Sequence, residues 1–343
     1  MIRSLSIALT LALIAAGSAY VLFSETNAIG EMQLRAEAGK VIVLRDSQSI
    51  KVEGDTSIQP GDFITTDPDG AAILRLEGDR KVLIGSSSRI GVTSVSSVDS
   101  EAGDVLAEAG DSLKVAFGGV TASGSDAQFR VDLGFGSARA ASYSGTVELS
   151  SPGEARVTLE RLYEATIAGA DLPSSTSPYR YDGADAWDLA KIKDVIELDE
   201  DLATYGDSLS SQLKKGRPSL EYFVSLAGKP VPFVRPYLDR SVDDLLIGFA
   251  VADNTDGSLE ASFRRAFRLR DDGGRWGVVA SIMRAQPKAL LATVQDLFVA
   301  SGAVGGGSDR SEPRFTVASA ADIGAPGTKA PGTTFPGGHA PVP

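Results

Sequence analysis

Short apolar runs with a period of two dominate residues 35 to 170, and turn residues separate them. Val41 to Leu44, Ala71 to Leu76 and Phe129 to Leu133 are three of these runs. Because alternate residues of a strand point to opposite faces, this period predicts strands with one buried face. Asp67 to Gly70 places proline and glycine where a tight turn needs them. The region therefore predicts a mainly β domain, built as a sandwich, a barrel or a β-solenoid.

One block of this region is similar to a known family. It consists of Gly39-Lys40-Val41, then Pro60-Gly61-Asp62, and then the turn and alternating run from Asp69 to Leu76. Shorter similarities follow at Ser88-Arg89-Ile90 and Gly145-Thr146-Val147. The region resembles the FecR-type periplasmic domain of bacterial envelope proteins. By their own chemistry, the glycines and aspartates of the block are turn residues first and ligand contacts second.

The resemblance also implies a role. Members of this family that regulate transcription resemble anti-sigma factors with a sizeable cytoplasmic domain. Here only residues 1–4 precede an apolar segment, and we expect them to form a cytoplasmic stub. The resemblance therefore implies a sensor or interaction module that signals through a partner.

That apolar segment runs from Leu5 to Phe23 without a charge. Nineteen helical residues at about 1.5 Å each span about 28 Å, close to the thickness of a bilayer core. Arg3 precedes the segment and Glu25 follows it, so the positive-inside rule places the N-terminus in the cytoplasm. The sequence predicts an N-terminal transmembrane helix, a signal anchor through which the chain contacts the membrane. It would be a single-pass protein of the cell membrane with its bulk outside the cytoplasm.

A cleaved signal peptide is the alternative for the same segment. Gly17-Ser18-Ala19 offers small residues for cleavage. The apolar stretch continues through Tyr20 to Phe23, which favours an uncleaved anchor. Both interpretations export the remainder, and the alternative makes the protein secreted.

Composition removes most catalytic chemistry. The 343 residues include no cysteine and one histidine, His339 in the Gly/Pro-rich tail. Disulfides, thiolate sites and histidine-based triads are therefore excluded from the folded part. The carboxylate pairs Asp243-Asp244 and Asp271-Asp272 remain, but neighbours on a strand point to opposite faces. We expect no enzyme, no cofactor and no metal site, and the net charge of −12 argues against nucleic acid.

Residues 171–216 are predicted to be a linker followed by a helical segment. Asp171 to Pro178 is rich in serine and proline, and apolar residues then recur at steps of three and four up to Leu213. Tyr179 to Asp188 resembles an acidic, aromatic segment that can follow FecR-type domains. We expect Trp187 to pack the helix on the β domain, with sugar stacking as the alternative. The acidic run from Asp194 to Asp201 is predicted to be a solvated helix face, with a cation or partner site as the alternative.

Residues 217–301 are predicted to form a small α+β domain. Three apolar or alternating runs indicate a meander whose hairpin signal is Asp271 to Gly274. A helix is predicted over Gln286 to Val299. The loop from Asp253 to Gly257 lacks the ligand spacing of a calcium loop. The three runs are Leu245 to Ala252, Ser258 to Arg270, and Trp276 to Ile282.

One basic cluster lies in this region, and a tail follows it. Arg264, Arg265, Arg268 and Arg270 are expected on a solvated strand face, with contact to an anionic polymer as the alternative. Residues 302–343, rich in glycine and proline, are predicted to be disordered.

These features favour a non-enzymatic sensor or interaction module of the cell envelope. Its partner would be an envelope protein or a cell-wall polymer. The alternative is a structural cell-wall or glycan-binding protein. The sequence identifies no binding residue for either function.

Overall fold

The computed structural model describes residues 32–134, 136–153, 155–212, 223–224 and 230–300. Fifteen strands come first and helices follow. The strands are β1 Met32–Ala38, β2 Val41–Arg45, β3 Gln48–Lys51, β4 Thr56–Ile58, β5 Phe63–Thr66, β6 Ala71–Arg75, β7 Arg80–Ile84, β8 Arg89–Ser94, β9 Ser97–Ala109, β10 Leu113–Phe117, β11 Val120–Leu133, β12 Ser137–Ser150, β13 Arg156–Leu159, β14 Tyr163–Ala168 and β15 Ser177–Pro178. The helices are α1 Ala186–Lys191, α2 Lys193–Gln212, a 3₁₀ helix Pro232–Tyr237, α3 Val242–Asp253, α4 Leu259–Asp271, α5 Trp276–Ile282 and α6 Pro287–Ala300.

All fifteen strands belong to one hydrogen-bonded sheet that folds over on itself. Three long strands, β9, β11 and β12, make the fold because each one changes partners along its length. The first half of β9 pairs with β8, and its second half pairs with β7 and β11. The first half of β11 likewise pairs with β10. The first half of β12 pairs with β14, and its second half pairs with β13. The result is a two-layer β-sandwich.

The period of two places the core between these layers. Leu74 and Val105 of the first layer, and Val43 and Ile64 of the second, are fully buried in one cluster. The first layer contains β4, β1, β6, β7, the second halves of β9 and β11, the first half of β12, and β14 and β15. The mainly β prediction is confirmed, with a sandwich as the architecture.

The outer face of the first layer is covered rather than solvated. Leu106, Ala141 and Tyr143 of the sheet form a buried cluster with Ile192 and Val195 of the helices. The remaining helices have their own core, in which the fully buried side chains include Leu246, Phe263, Phe267 and Leu290.

The predicted α+β domain is wrong, because the described part of residues 217–301 is helical. Leu245 to Ala252 is entirely buried within α3, and a helix buried on all sides has no polar face to reveal its period. The overlooked signal is the N-cap. The Ser241 hydroxyl accepts a hydrogen bond from the backbone N–H of Asp244, and Asp243 and Asp244 occupy the first turn.

The hairpin signal from Asp271 to Gly274 is the end of helix α4. The Gly274 N–H donates to the Leu269 carbonyl, and the Gly273 N–H donates to the Arg270 carbonyl. Gly273 has a φ of +97°. This is a Schellman motif, which requires a left-handed residue after the helix. The predicted helix over Gln286 to Val299 is confirmed as α6.

The predicted fold class is corrected in one further respect. Among the residues that the structure describes, no helix is both long and apolar enough to cross a bilayer. The stub at residues 1–4, the segment from Leu5 to Phe23 and the tail at residues 302–343 lie outside the described residues. The described fold is therefore mainly β followed by helices, without a membrane helix.

Candidate functional site

Charged side chains line the outer face of the first layer on four adjacent strands. The register sets Asp132 of β11 opposite both Asp104 of β9 and Arg139 of β12. One row along, Ala141 lies opposite both Arg130 of β11 and Glu164 of β14. In an isolated sandwich these outward positions would face water. Here helices α1 and α2 cover them, and the charged groups form a partly buried cluster, called the Arg130 network below.

Arg130 is the centre of this network and is only 8% exposed. Its guanidinium contacts the Asp132 carboxylate through Nε. Nη1 lies 2.8 Å from Asp185 on the helix side, and Nη2 lies 3.6 Å from Asp104 on the sheet. The Trp187 ring stacks over the guanidinium at 5.1 Å. Sheet and helix therefore share one cation, which fixes the position of α1 on the sheet.

Helix α1 brings two carboxylates to the network. Asp185 caps the helix by accepting from the backbone N–H groups of Trp187 and Asp188. Asp188 is fully buried and accepts hydrogen bonds from the Tyr143 hydroxyl at 2.5 Å and the Tyr179 hydroxyl at 2.6 Å. The backbone N–H of Asp182 donates to its other oxygen at 2.7 Å. Burial raises the pKa of Asp188 more than these donors lower it.

A second cation extends the network toward β14. Arg139 Nε lies 3.0 Å from Asp132, and its guanidinium stacks over the Tyr179 ring at 5.2 Å. Glu164 is fully buried, and it accepts from the side chain of Arg180 at 2.8 Å and from the Arg180 backbone N–H at 3.1 Å. These bonds hold the segment before α1 against the sheet.

Carboxylates outnumber guanidinium groups in this network, and Asp104 shows the consequence. Burial and the neighbouring Asp132 raise the pKa of Asp104 to about 6, and the attraction of Arg130 only partly opposes them. Burial also raises the pKa of Asp188. The buried polar atoms of the network bond to each other, so the arrangement is suited to holding α1 in one position on the sheet. The strength of this contact should depend on pH, because it depends on the charge of these carboxylates.

The Trp187 prediction is confirmed, since this side chain packs between helix and sheet. The other network residues were missed. Phe129-Arg130-Val131-Asp132-Leu133 does alternate, but outward charges on a strand ordinarily indicate solvent. The available signal was the acidic, aromatic segment from Tyr179 to Asp188, which supplies the complementary carboxylates.

The block from Gly39 to Leu76 that resembles the FecR-type family contributes contacts within the fold. Asp62 is buried and accepts from Arg45 Nε at 2.7 Å and from the Gln59 backbone N–H at 2.9 Å. Burial alone would raise the pKa of Asp62, but these bonds lower it below its ordinary value. A Cβ at Gly39 would lie 2.6 Å from the Asp69 carbonyl carbon, so the turn and the glycine pack together. These residues build the corner of the sandwich.

The remaining predicted residues lie on helices. The acidic run lies on α2, where Asp194, Glu197 and Glu200 are exposed. Asp199 and Asp201 are half-buried, and Asp199 accepts from the Gly277 N–H at 2.9 Å. The basic cluster lies on α4 rather than on a strand. Asp244 accepts from Trp276 Nε1 at 2.8 Å, and Asp271 pairs with Arg240 at 2.5 Å. Asp243 and Asp244 lie in the first turn of α3, and Asp271 and Asp272 lie at the end and C-cap of α4, so neither pair lies on a strand.

Small-ligand sites are poorly developed in the described part of the chain. Its residues contain no group of three or more side chains that could hold a metal ion. Two clefts are open and shallow, one beside Arg35, Val52 and Glu53 and the other beside Glu164 and Thr176. Small-molecule sites are ordinarily enclosed and mostly apolar.

Comparison with known proteins gives distant structural similarity alone. No family model matches the chain, and no curated protein matches it. Two crystal structures of a candidate anti-sigma factor from Parabacteroides distasonis ATCC 8503 are partly similar. The first, at 2.50 Å resolution, has a TM-score of 0.30 and 13% identity over 34% of this chain and 59% of that one. The second, at 1.65 Å, has a TM-score of 0.32 and 15% identity over 36% of this chain and 63% of that one.

The chain thus spans about three fifths of the length of those two structures. TM-scores of this size describe a partial likeness and carry no conclusion about activity or partners.

Proposed function

We propose that this chain is a non-enzymatic regulatory sensor or interaction module that works outside the cytoplasm by binding a protein partner. The observation that carries the proposal is the Arg130 network. It joins a β-sandwich and a helical layer through a polar, partly buried contact, in which Asp185 and Asp188 of α1 meet Arg130 of the sheet. Such a contact specifies one docked arrangement, and its strength responds to changes in charge.

Two buried carboxylates of the network support a non-catalytic role. The Asp188 carboxylate already accepts three hydrogen bonds, and Glu164 accepts two from Arg180. A general acid or base must reach a substrate proton within hydrogen-bond distance. Carboxylates whose oxygens are engaged within the fold are poorly placed for that role.

The signalling part of the proposal is tested with a deletion strain. Transcript profiles of the wild type, the deletion strain and a complemented strain are compared under envelope stress. A regulatory module predicts a response that is altered by the deletion and restored by the complementing chain. An identical profile in all three strains would refute a regulatory role.

Fractionation tests the location separately. We expect the chain in the extracytoplasmic or envelope fraction, where added protease reaches it without cell lysis. Recovery only with cytoplasmic markers would contradict this part of the proposal.

A cell-wall or glycan-binding role is the second outcome to distinguish. The full chain is mixed with purified cell-wall sacculi across a range of salt concentrations and pelleted. The proposed protein partner predicts no pelleting, together with a specific adduct after crosslinking in cells. Pelleting would favour the wall-binding function instead, and its salt dependence would separate electrostatic contact from glycan recognition.

A further inference from the structure

Helix α4 carries an exposed basic face in a chain whose net charge is −12. Its buried side packs Phe263 and Phe267 into the helical core, and Arg264, Arg265 and Arg268 point to solvent on the opposite side. Residues three and four apart are neighbours on a helix surface, so the three guanidinium groups form one patch. This patch is called the Arg face.

The Arg face is largely unneutralised. Arg264 shares its charge with Glu260 one turn earlier, at 2.9 Å. Arg265 and Arg268 form no ion pair with any of the residues that the structure describes. In a chain with an excess of carboxylates, a patch of this kind is available to an anionic partner.

Helix α2 carries the opposite charge. Asp194, Glu197, Glu200 and Asp207 are exposed along it, and after Lys193 the helix contains no basic residue. Lys193 pairs with Glu197 at 3.4 Å, which leaves the later carboxylates without a neighbouring cation on this helix. This patch is called the acidic face.

Two other helices separate the helices that carry these faces. Helices α3 and α5 each pack against both α2 and α4. Among the described residues, no ion pair joins an exposed charge of α2 to an exposed charge of α4.

We propose that the Arg face of one molecule docks on the acidic face of helix α2 in a second copy of this chain. Arg265 and Arg268 on α4 are three residues apart, as are Glu197 and Glu200 on α2, which is about 5 to 6 Å between Cβ atoms, so two pairs can form together. Because two different faces meet, the contact is head to tail and each molecule keeps one free face. Copies would join into short chains rather than closed dimers.

The net charge sets the strength of this association. Two copies at −12 repel each other at long range, and at 0.15 M salt the Debye length is about 8 Å. Screening therefore weakens the general repulsion more than the contact pairs. The expected association is weak and depends on concentration.

Sedimentation velocity of the purified full chain at 0.15 M salt tests the proposal. Two variants reverse one face each, Arg265→Glu with Arg268→Glu and Glu197→Lys with Glu200→Lys. The wild type should sediment faster as its concentration rises, and each variant alone should lose this behaviour, with at least a tenfold weaker association. An equimolar mixture of the two should associate again, because each supplies a face complementary to the other.

A matched control changes the same charge elsewhere. Arg156→Glu with Arg161→Glu alters exposed arginines of the sandwich and should associate like the wild type. A wild type that stays monomeric at high concentration would overturn the proposal. So would association that survives in both variants, or that is lost only when α4 is changed, since the occupant would then not be α2.

Discussion

Asp104→Asn tests the electrostatics of the Arg130 network quantitatively. The carboxyl is 33% exposed and lies 3.6 Å from Arg130, and its pKa is raised from an ordinary 3.8 to about 6. At 1.36 kcal/mol per pH unit this difference corresponds to about 3 kcal/mol, which solvent screening reduces to about 1–2 kcal/mol. The uncharged amide of similar shape should therefore raise the free energy of unfolding by about 1–2 kcal/mol at pH 7.5.

The same pKa values determine how the difference in stability between Asp104→Asn and the wild type changes with pH. The folded pKa of Asp104 lies above the unfolded value, so its unfavourable contribution is absent below pH 3.8 and complete above pH 6. The advantage of the variant should therefore shrink on acidification. At pH 4 we expect less than about 0.5 kcal/mol.

Urea unfolding at pH 7.5 and pH 4, followed by tryptophan fluorescence, measures both values. Asp55→Asn is the matched control, because it removes an exposed carboxylate from the loop before β4 and should change little at either pH. A lower free energy of unfolding for Asp104→Asn than for the wild type at pH 7.5 would contradict this expectation. It would mean that the ionised carboxylate is a net stabilising partner of Arg130.

Two further substitutions test the contacts around the network. Gly277→Ala should destabilise the fold by about 2–4 kcal/mol in thermal unfolding, because the new Cβ would lie 2.3 Å from the Val195 carbonyl oxygen. Gly183→Ala is its control and should be nearly neutral, because a Cβ there would meet nothing within 4 Å. Tyr143→Phe should cost about 1.5–3 kcal/mol in urea unfolding, because the buried Asp188 loses a donor at 2.5 Å, and an unchanged stability would contradict that hydrogen bond.

The β region was predictable because its period and its turns agree. The turn from Asp67 to Gly70 closes with a hydrogen bond from the Gly70 N–H to the Asp67 carbonyl at 2.8 Å. The sandwich itself was harder to choose. It depends on β9, β11 and β12 changing layers midway, and the register shifts near Ser125 and Gln128 of β11 leave no clear mark on the apolar pattern.

The helical region was mispredicted where burial hides the helical period. The stretch from Leu245 to Ala252 has no exposed residue, and such a stretch looks the same in a buried strand and a buried helix. In α4 the spacing of Phe263, Ala266 and Phe267 does follow a helix. Ser241 and Ser258, the N-caps of these two helices, are the signals in the sequence that favour a helix at both places.

The Arg130 network was not predictable as a unit from one sequence. Its members come from β9, β11, β12, β14 and α1. Each outward charge, taken alone, predicts a solvent-exposed side chain. What buries Arg130 is the docking of α1, a tertiary event set by Trp187 and Asp185. The sequence could predict that Trp187 packs on the β domain, but not which charges it would cover.

We infer that the Arg130 network holds the helices on the sheet. Hydrogen exchange of the full chain measures it directly, comparing the wild type with Arg130→Met and with the exposed control Arg156→Met. We predict slow exchange across α1 and the start of α2 in the wild type and the control, and much faster exchange there in Arg130→Met, because buried carboxylates lose their shared cation. Equal protection of these helices in all three proteins would show that the Arg130 network does not hold them on the sheet.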